Sequence, residues 1–71
     1  MHLEDITLSL KRRRELLGVT QEQLSDLSGV GLRTLKALER NESNPTFETL
    51  SKLANVLGLE VRLVLKSAIE E

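Results

Sequence analysis

Apolar residues recur along this chain at two different spacings. Ile6, Leu10 and Leu17 return at helical intervals, as do Leu24 with Leu27, Leu35 with Leu38, and the set Phe47, Leu50, Leu53, Ala54 and Leu57. Each set draws one apolar stripe along a helix whose other side is polar. From Leu59 to Lys66 the interval shortens to two, with Leu59, Val61, Leu63 and Leu65 alternating with Glu60, Arg62, Val64 and Lys66. That period, rich in branched side chains, is the mark of a strand with one buried face. The pattern predicts four short, locally connected helices that close into a compact bundle, followed by one strand.

Turn and capping residues set the boundaries. The first helix runs from about Leu3 or Ile6 to Leu17, with Gly18 as its terminator. Thr20 and Gln23 form a capping box, the threonine hydroxyl accepting from the Gln23 backbone while the Gln23 side chain reaches back, so a second helix begins at Gln21. It buries Leu24 and Leu27 and exposes Glu22, Gln23 and Asp26. Ser28-Gly29 ends it, because the sharp turn needs the left-handed backbone that glycine adopts freely. Gly31 is a weak N-cap for a third helix, which buries Leu35 and Leu38 and turns Leu32, Arg33, Lys36, Ala37 and Arg40 to its other side. Asn41 caps its far end, and Asn44-Pro45 forbids continuation. Thr46 starts the fourth helix and Gly58 stops it. Two short helices meeting at a glycine form the layout of a DNA-reading helix-turn-helix, although an ordinary helical hairpin with solvated charges gives the same spacing.

A lone strand leaves backbone donors and acceptors unpaired on both edges, and nothing else in the chain reads as a second strand. The expected partner is the same strand of a second copy, antiparallel across a two-fold axis. A fifth helix or a frayed tail is the alternative, and Ser67 to Glu71 reads as a frayed end. The division that follows is 1–58 for the helical domain, 59–66 for a dimerisation strand and 67–71 for a tail.

At 71 residues the chain is one small domain near the limit of what a single core can hold together, so dimerisation helps its stability. It has no cysteine, tyrosine or tryptophan. His2, its one histidine, sits at an end expected to be disordered, and carboxylates lie scattered at surface spacing. This excludes thiolate metal sites and makes an enzyme an unsupported reading; neither metal nor cofactor is expected. An acidic N-terminus without an apolar core segment, and no apolar run near the ~20 residues that span a bilayer, point to the cytoplasm.

The net charge of -1 argues against a generic nucleic-acid coat, but its distribution is uneven. Between Lys11 and Arg40 lie seven basic residues (Lys11, Arg12, Arg13, Arg14, Arg33, Lys36, Arg40) and four acidic ones (Glu15, Glu22, Asp26, Glu39), a net +3. The segments before and after each carry -2. Positive charge is therefore concentrated on the helix-turn-helix segment, where a local field attracts phosphates.

From Leu10 to Leu57 the chain resembles the Cro/C1-type (XRE) helix-turn-helix family. The resemblance is carried by Arg14 before Leu17-Gly18, the Thr-Gln-x-x-Leu start at Thr20, the glycine turn, the Thr-Leu-x-x-Leu-Glu run at Thr34 and a fourth helix after a proline loop. The further stretch Leu57-Gly58-Leu59-Glu60-Val61-Arg62-Leu63 looks like the HipB-type branch of antitoxin-repressors, whose C-terminal strands pair in a dimer. The resemblance implies a mostly α, four- to five-helix lambda-repressor-like DNA-binding domain with a C-terminal β-strand pairing across a homodimer through Leu59, Val61, Leu63 and Leu65. It implies double-stranded DNA as the partner of Gln21, Leu32, Arg33, Lys36, Ala37 and Arg40. Gln21 would bond a phosphate from a helix N-terminus. Arg33 and Lys36 would face base edges, arginine being suited to guanine O6 and N7. An exposed Leu32, with Ala37 beside it, would meet a thymine methyl, and Arg40 would touch phosphate. Arg14 and Glu39 match a structural ion pair of the family.

Departures accompany the resemblance. Gly31 stands where the family usually caps with serine or threonine, Asn41 where glycine is usual, and Arg13 where an apolar residue is common. Arg13 is expected at the bundle edge, stem packed and head in solvent. Three functions remain open on these residues: a repressor on a palindromic operator, a HipB-like antitoxin that neutralises a HipA-like kinase toxin and autoregulates its operon, and a dimerisation module that has lost DNA binding.

Overall fold

A computed structural model describes residues 2–65. It contains four helices: α1 (Leu3–Leu16), α2 (Gln21–Ser28), α3 (Leu32–Glu39) and α4 (Phe47–Val56). α2 packs on both α3 and α4, and α1 packs on α3. The core between them is leucine-dominated: Leu10, Leu24, Leu35, Leu38, Leu50, Leu53 and Leu57, joined by Val30 from the α2–α3 turn and Ala54. Thr7 is the one buried polar residue among those described. Its hydroxyl lies 2.6 Å from Asn41 Oδ1 and 3.1 Å from the Glu4 carbonyl, so burial leaves it satisfied.

Local chemistry sets the helix starts. The Thr20 hydroxyl accepts from the Gln23 N–H at 3.0 Å, and Gln23 Oε1 accepts from the Thr20 N–H at 2.9 Å. Thr46 does the same for the Thr49 N–H at 3.1 Å. His2, expected in disorder, is instead the N-cap of α1, its backbone N–H donating to the Asp5 carboxylate at 3.1 Å.

Three helices end alike. After α1, α3 and α4 the chain turns left-handed at Gly18, Asn41 and Gly58, and the next N–H reaches back to a carbonyl of the last turn: Val19 to Arg14, Glu42 to Ala37 and Leu59 to Ala54, at 3.0, 2.8 and 2.8 Å.

Expectations for four further side chains are corrected. Leu17, Leu27 and Phe47, assigned to buried stripes, are 47%, 68% and 63% exposed. Leu17 is the C-cap of α1, still in helical phase but at the end of the helix, and Val30 from the α2–α3 turn joins the core in place of Leu27. Phe47 opens α4, one turn before the stripe meets the core. The Arg13 head is not left to solvent alone: its Nε donates to the Leu57 carbonyl at 2.9 Å, serving an orphan acceptor at the end of α4.

Among the described residues there is no strand. Leu59 and Val61 pack partly against the core, whereas Leu63, Val64 and Leu65 are 98%, 80% and 80% exposed. Among the described residues the segment has no neighbour to complete a ladder. Lys66, and the tail at 67–71, lie outside the described residues.

Candidate nucleic-acid interface

The rotation of α3 is fixed from inside. Leu35 and Leu38, 1% and 0% exposed, hold one face against the core. At 100° per residue this turns Arg33, Lys36, Ala37 and Arg40 outward. Arg33 and Arg40 are exposed, while Lys36, Ala37 and Leu32 are half-buried. Leu32, at the first position of α3, is therefore partly covered and less free than the sequence suggested. The eight residues of α3 span about 12 Å, a length that fits the major groove of B-DNA.

No side chain caps α3, since Gly31 has none to offer. Thr34, exposed on the first turn, is a candidate contact that sequence reasoning passed over. Its hydroxyl would lie 4.0 Å from a Cβ at Gly31. The signal for it was a hydroxyl residue next to Arg33 that neither apolar stripe uses.

The C-terminus of α1, the start of α2 and the end of α3 meet at one carboxylate. Arg14 donates from Nε to Glu39 Oε2 at 2.7 Å and from Nη2 to Oε1 at 3.0 Å, and its Nη1 reaches the Val19 carbonyl at 2.8 Å. The two side chains are 11% and 4% exposed. Hydrogen bonding to Glu39 raises the Arg14 pKa above its ordinary value, with burial opposing. Gln21 joins the same carboxylate, Nε2 donating to Oε1 at 2.9 Å. Its amide, expected free for phosphate, has one N–H already engaged.

This arrangement sets the electrostatics of the outward face. Glu39 is the one acid of α3, and its charge is cancelled beneath the surface by Arg14. Among the described residues neither Arg33 nor Lys36 enters an ion pair, while Arg40 Nε meets Glu42 Oε1 at 2.9 Å with both side chains 59% exposed. The face is cationic and open, and suited to a polyanion. Among the described residues no group of three or more His, Cys, Asp or Glu could hold a metal ion, and no helix is long and apolar enough to cross a membrane.

A family model for helix-turn-helix proteins matches residues 10–64. The chain is 41% identical over 51 residues to an HTH-type transcriptional regulator of Haemophilus influenzae, the match covering 72% of this chain and 52% of that protein. It is 37% identical over 54 residues to the HTH-type transcriptional regulator SutR of Escherichia coli, covering 76% of this chain and 30% of SutR. To the cryptic phage CTXphi transcriptional repressor RstR of Vibrio cholerae it is 35% identical over 52 residues, covering 73% of this chain and 46% of RstR. The chain thus spans about half the length, or less, of these relatives.

Proposed function

The chain belongs to the helix-turn-helix family in its Cro/C1 type, and on that premise we propose that it is a sequence-specific DNA-binding transcriptional regulator, a repressor that acts as a homodimer on a near-palindromic operator. The observation that carries this reading is the outward face of α3: Arg33, Lys36 and Arg40 stand on one side of a helix whose single acid is neutralised from within. Relatives named as transcriptional regulators and a repressor support it. Arg33 reads guanine, Lys36, Ala37 and Leu32 line the groove beside it, and Gln21 and Arg40 hold phosphates.

The dimer rests on the C-terminal segment. Leu63 and Leu65 are almost fully exposed directly after Leu59 and Val61 have packed on the core, and the same segment of a second copy, paired antiparallel, covers them and fills the unpaired edges. A second reading, a HipB-like antitoxin that also binds a HipA-type kinase toxin, is favoured by Leu16, Leu17 and Leu27. These are 76%, 47% and 68% exposed, and none lies on α3.

The test is fluorescence anisotropy on the duplex upstream of the chain's own gene, titrated at two salt concentrations against random duplex. Tight, salt-sensitive binding that survives competitor establishes an autoregulating repressor. Binding no better than to random DNA moves the weight to the protein-partner reading. Copurification with a kinase-like product of an adjoining gene would then establish that reading.

A further inference from the structure

We propose that Glu39 is a positioning residue for DNA binding: its hydrogen bond to Gln21 fixes which amide atoms Gln21 presents to the phosphate backbone. The inference rests on the DNA-binding reading and adds to it a residue that never touches DNA.

A glutamine amide is nearly symmetric in shape, so packing alone does not choose between its nitrogen and its oxygen. The Glu39 carboxylate does. Arg14 occupies Oε2 with Nε and shares Oε1 with Nη2, and the remaining place on Oε1 is taken by Gln21 Nε2 at 2.9 Å. The reversed amide would set oxygen against carboxylate oxygen. One Gln21 N–H is therefore used inward, and the second is left as a donor of fixed direction. It stands at the first turn of α2, where Thr20 caps only the Gln23 N–H and those of Gln21 and Glu22 lack an intrahelical acceptor. Folding has thus already ordered a side chain that would otherwise lose rotamer freedom on binding. Arg14 is the second half of the device, because a bare carboxylate at this place would repel the phosphate that Gln21 is set to receive.

The test replaces the ion pair with side chains of similar length and no charge. Arg14→Met/Glu39→Met leaves the net charge unchanged, and apolar replacement of such a pair is often tolerated by the fold. Affinity for a random-sequence duplex at low salt is measured for wild type, Gln21→Ala, the Met/Met variant and the triple variant. Gln21→Ala and the Met/Met variant are each expected to weaken binding about three- to tenfold, with the triple variant no weaker than either, because both remove the same contact. Losses that add, or a Met/Met variant that binds like wild type, would overturn the proposal. A measurement on the wild-type protein stands apart from the variants' folding: the Gln21 side-chain amide should show NMR order parameters close to those of the rigid backbone, and a freely mobile amide overturns the inference. A rigid amide in a wild-type protein that binds no duplex would end both readings, the DNA-binding one first.

Discussion

Asn41 does two things that different substitutions separate. Its backbone sits at φ 59°, in the left-handed region, and its Oδ1 is 2.6 Å from the hydroxyl of buried Thr7. Asn41→Gly keeps the backbone at ease and gives up the amide, costing about 1 kcal/mol or less. Asn41→Ala loses the amide and adds the strain of a Cβ in that region, a total of about 2–3 kcal/mol. Urea denaturation orders the two, and equal losses would mean that the backbone carries none of the effect. Arg14 yields a prediction about pH. Its pKa is raised in the fold, so its contribution is complete below the unfolded value and is lost only as pH climbs through the folded one. For arginine both lie far above neutrality, and Arg14 should bring no change in urea midpoint between about pH 6 and 10. An alkaline loss in that window that vanishes in the Met/Met variant would contradict this.

At the scale of the element, the proposed function divides the work of α3 between reading bases and holding phosphate. Arg33→Ala should cost about 1–3 kcal/mol on the correct operator and relax preference at one base pair, whereas Arg40→Ala should weaken all sequences alike. Equal behaviour in a panel of single-base operator variants would reject the division. On the proposed reading Arg40 holds a phosphate, and Glu42, paired with its Nε in an exposed contact of small worth, sets a negative charge beside that phosphate. Glu42→Gln should accordingly raise affinity a few-fold on any duplex, an effect that anisotropy detects directly. How much of this was legible in sequence depended on distance along the chain. The stripes at Leu24, Leu35, Leu38, Leu50 and Leu53 and the capping box at Thr20 were legible because helix periodicity and caps are local. Leu17, Leu27 and Phe47 were misjudged because each sits at a helix end, where a residue in phase with the stripe runs out of neighbours. Arg13 was misread for a different reason: the carbonyl it serves is 44 residues away, and no spacing rule announces it. Gln21 shows the same limit, since its contact with Glu39 exists only once α2 and α3 have packed.

For the whole molecule, the proposed function raises the question of how one eight-residue helix becomes specific enough for a genome. One helix of this size reads only a few base pairs, and competing non-specific sites are abundant, so a second reading helix at a fixed distance is needed. A two-fold dimer supplies it only if the two α3 helices stand about 34 Å apart, one turn of B-DNA. In the proposed dimer that distance is set by the segment after α4, anchored by Leu59 and Val61 against the core and apolar at Leu63 and Leu65 beyond it. Leu63→Lys/Leu65→Lys leaves the anchored part intact and places two charges where the partner strand would pack. Sedimentation should then give a monomer of unchanged helical content, and operator affinity should fall much further than affinity for random duplex, because the second helix no longer binds as an intramolecular event. Inserting about half a helical turn of DNA between the half-sites should reproduce that loss with the wild-type protein, since it rotates one groove away from its helix. A variant that remains dimeric would place the dimer contact elsewhere, and an operator indifferent to the insertion would mean that the two reading helices are not held in register.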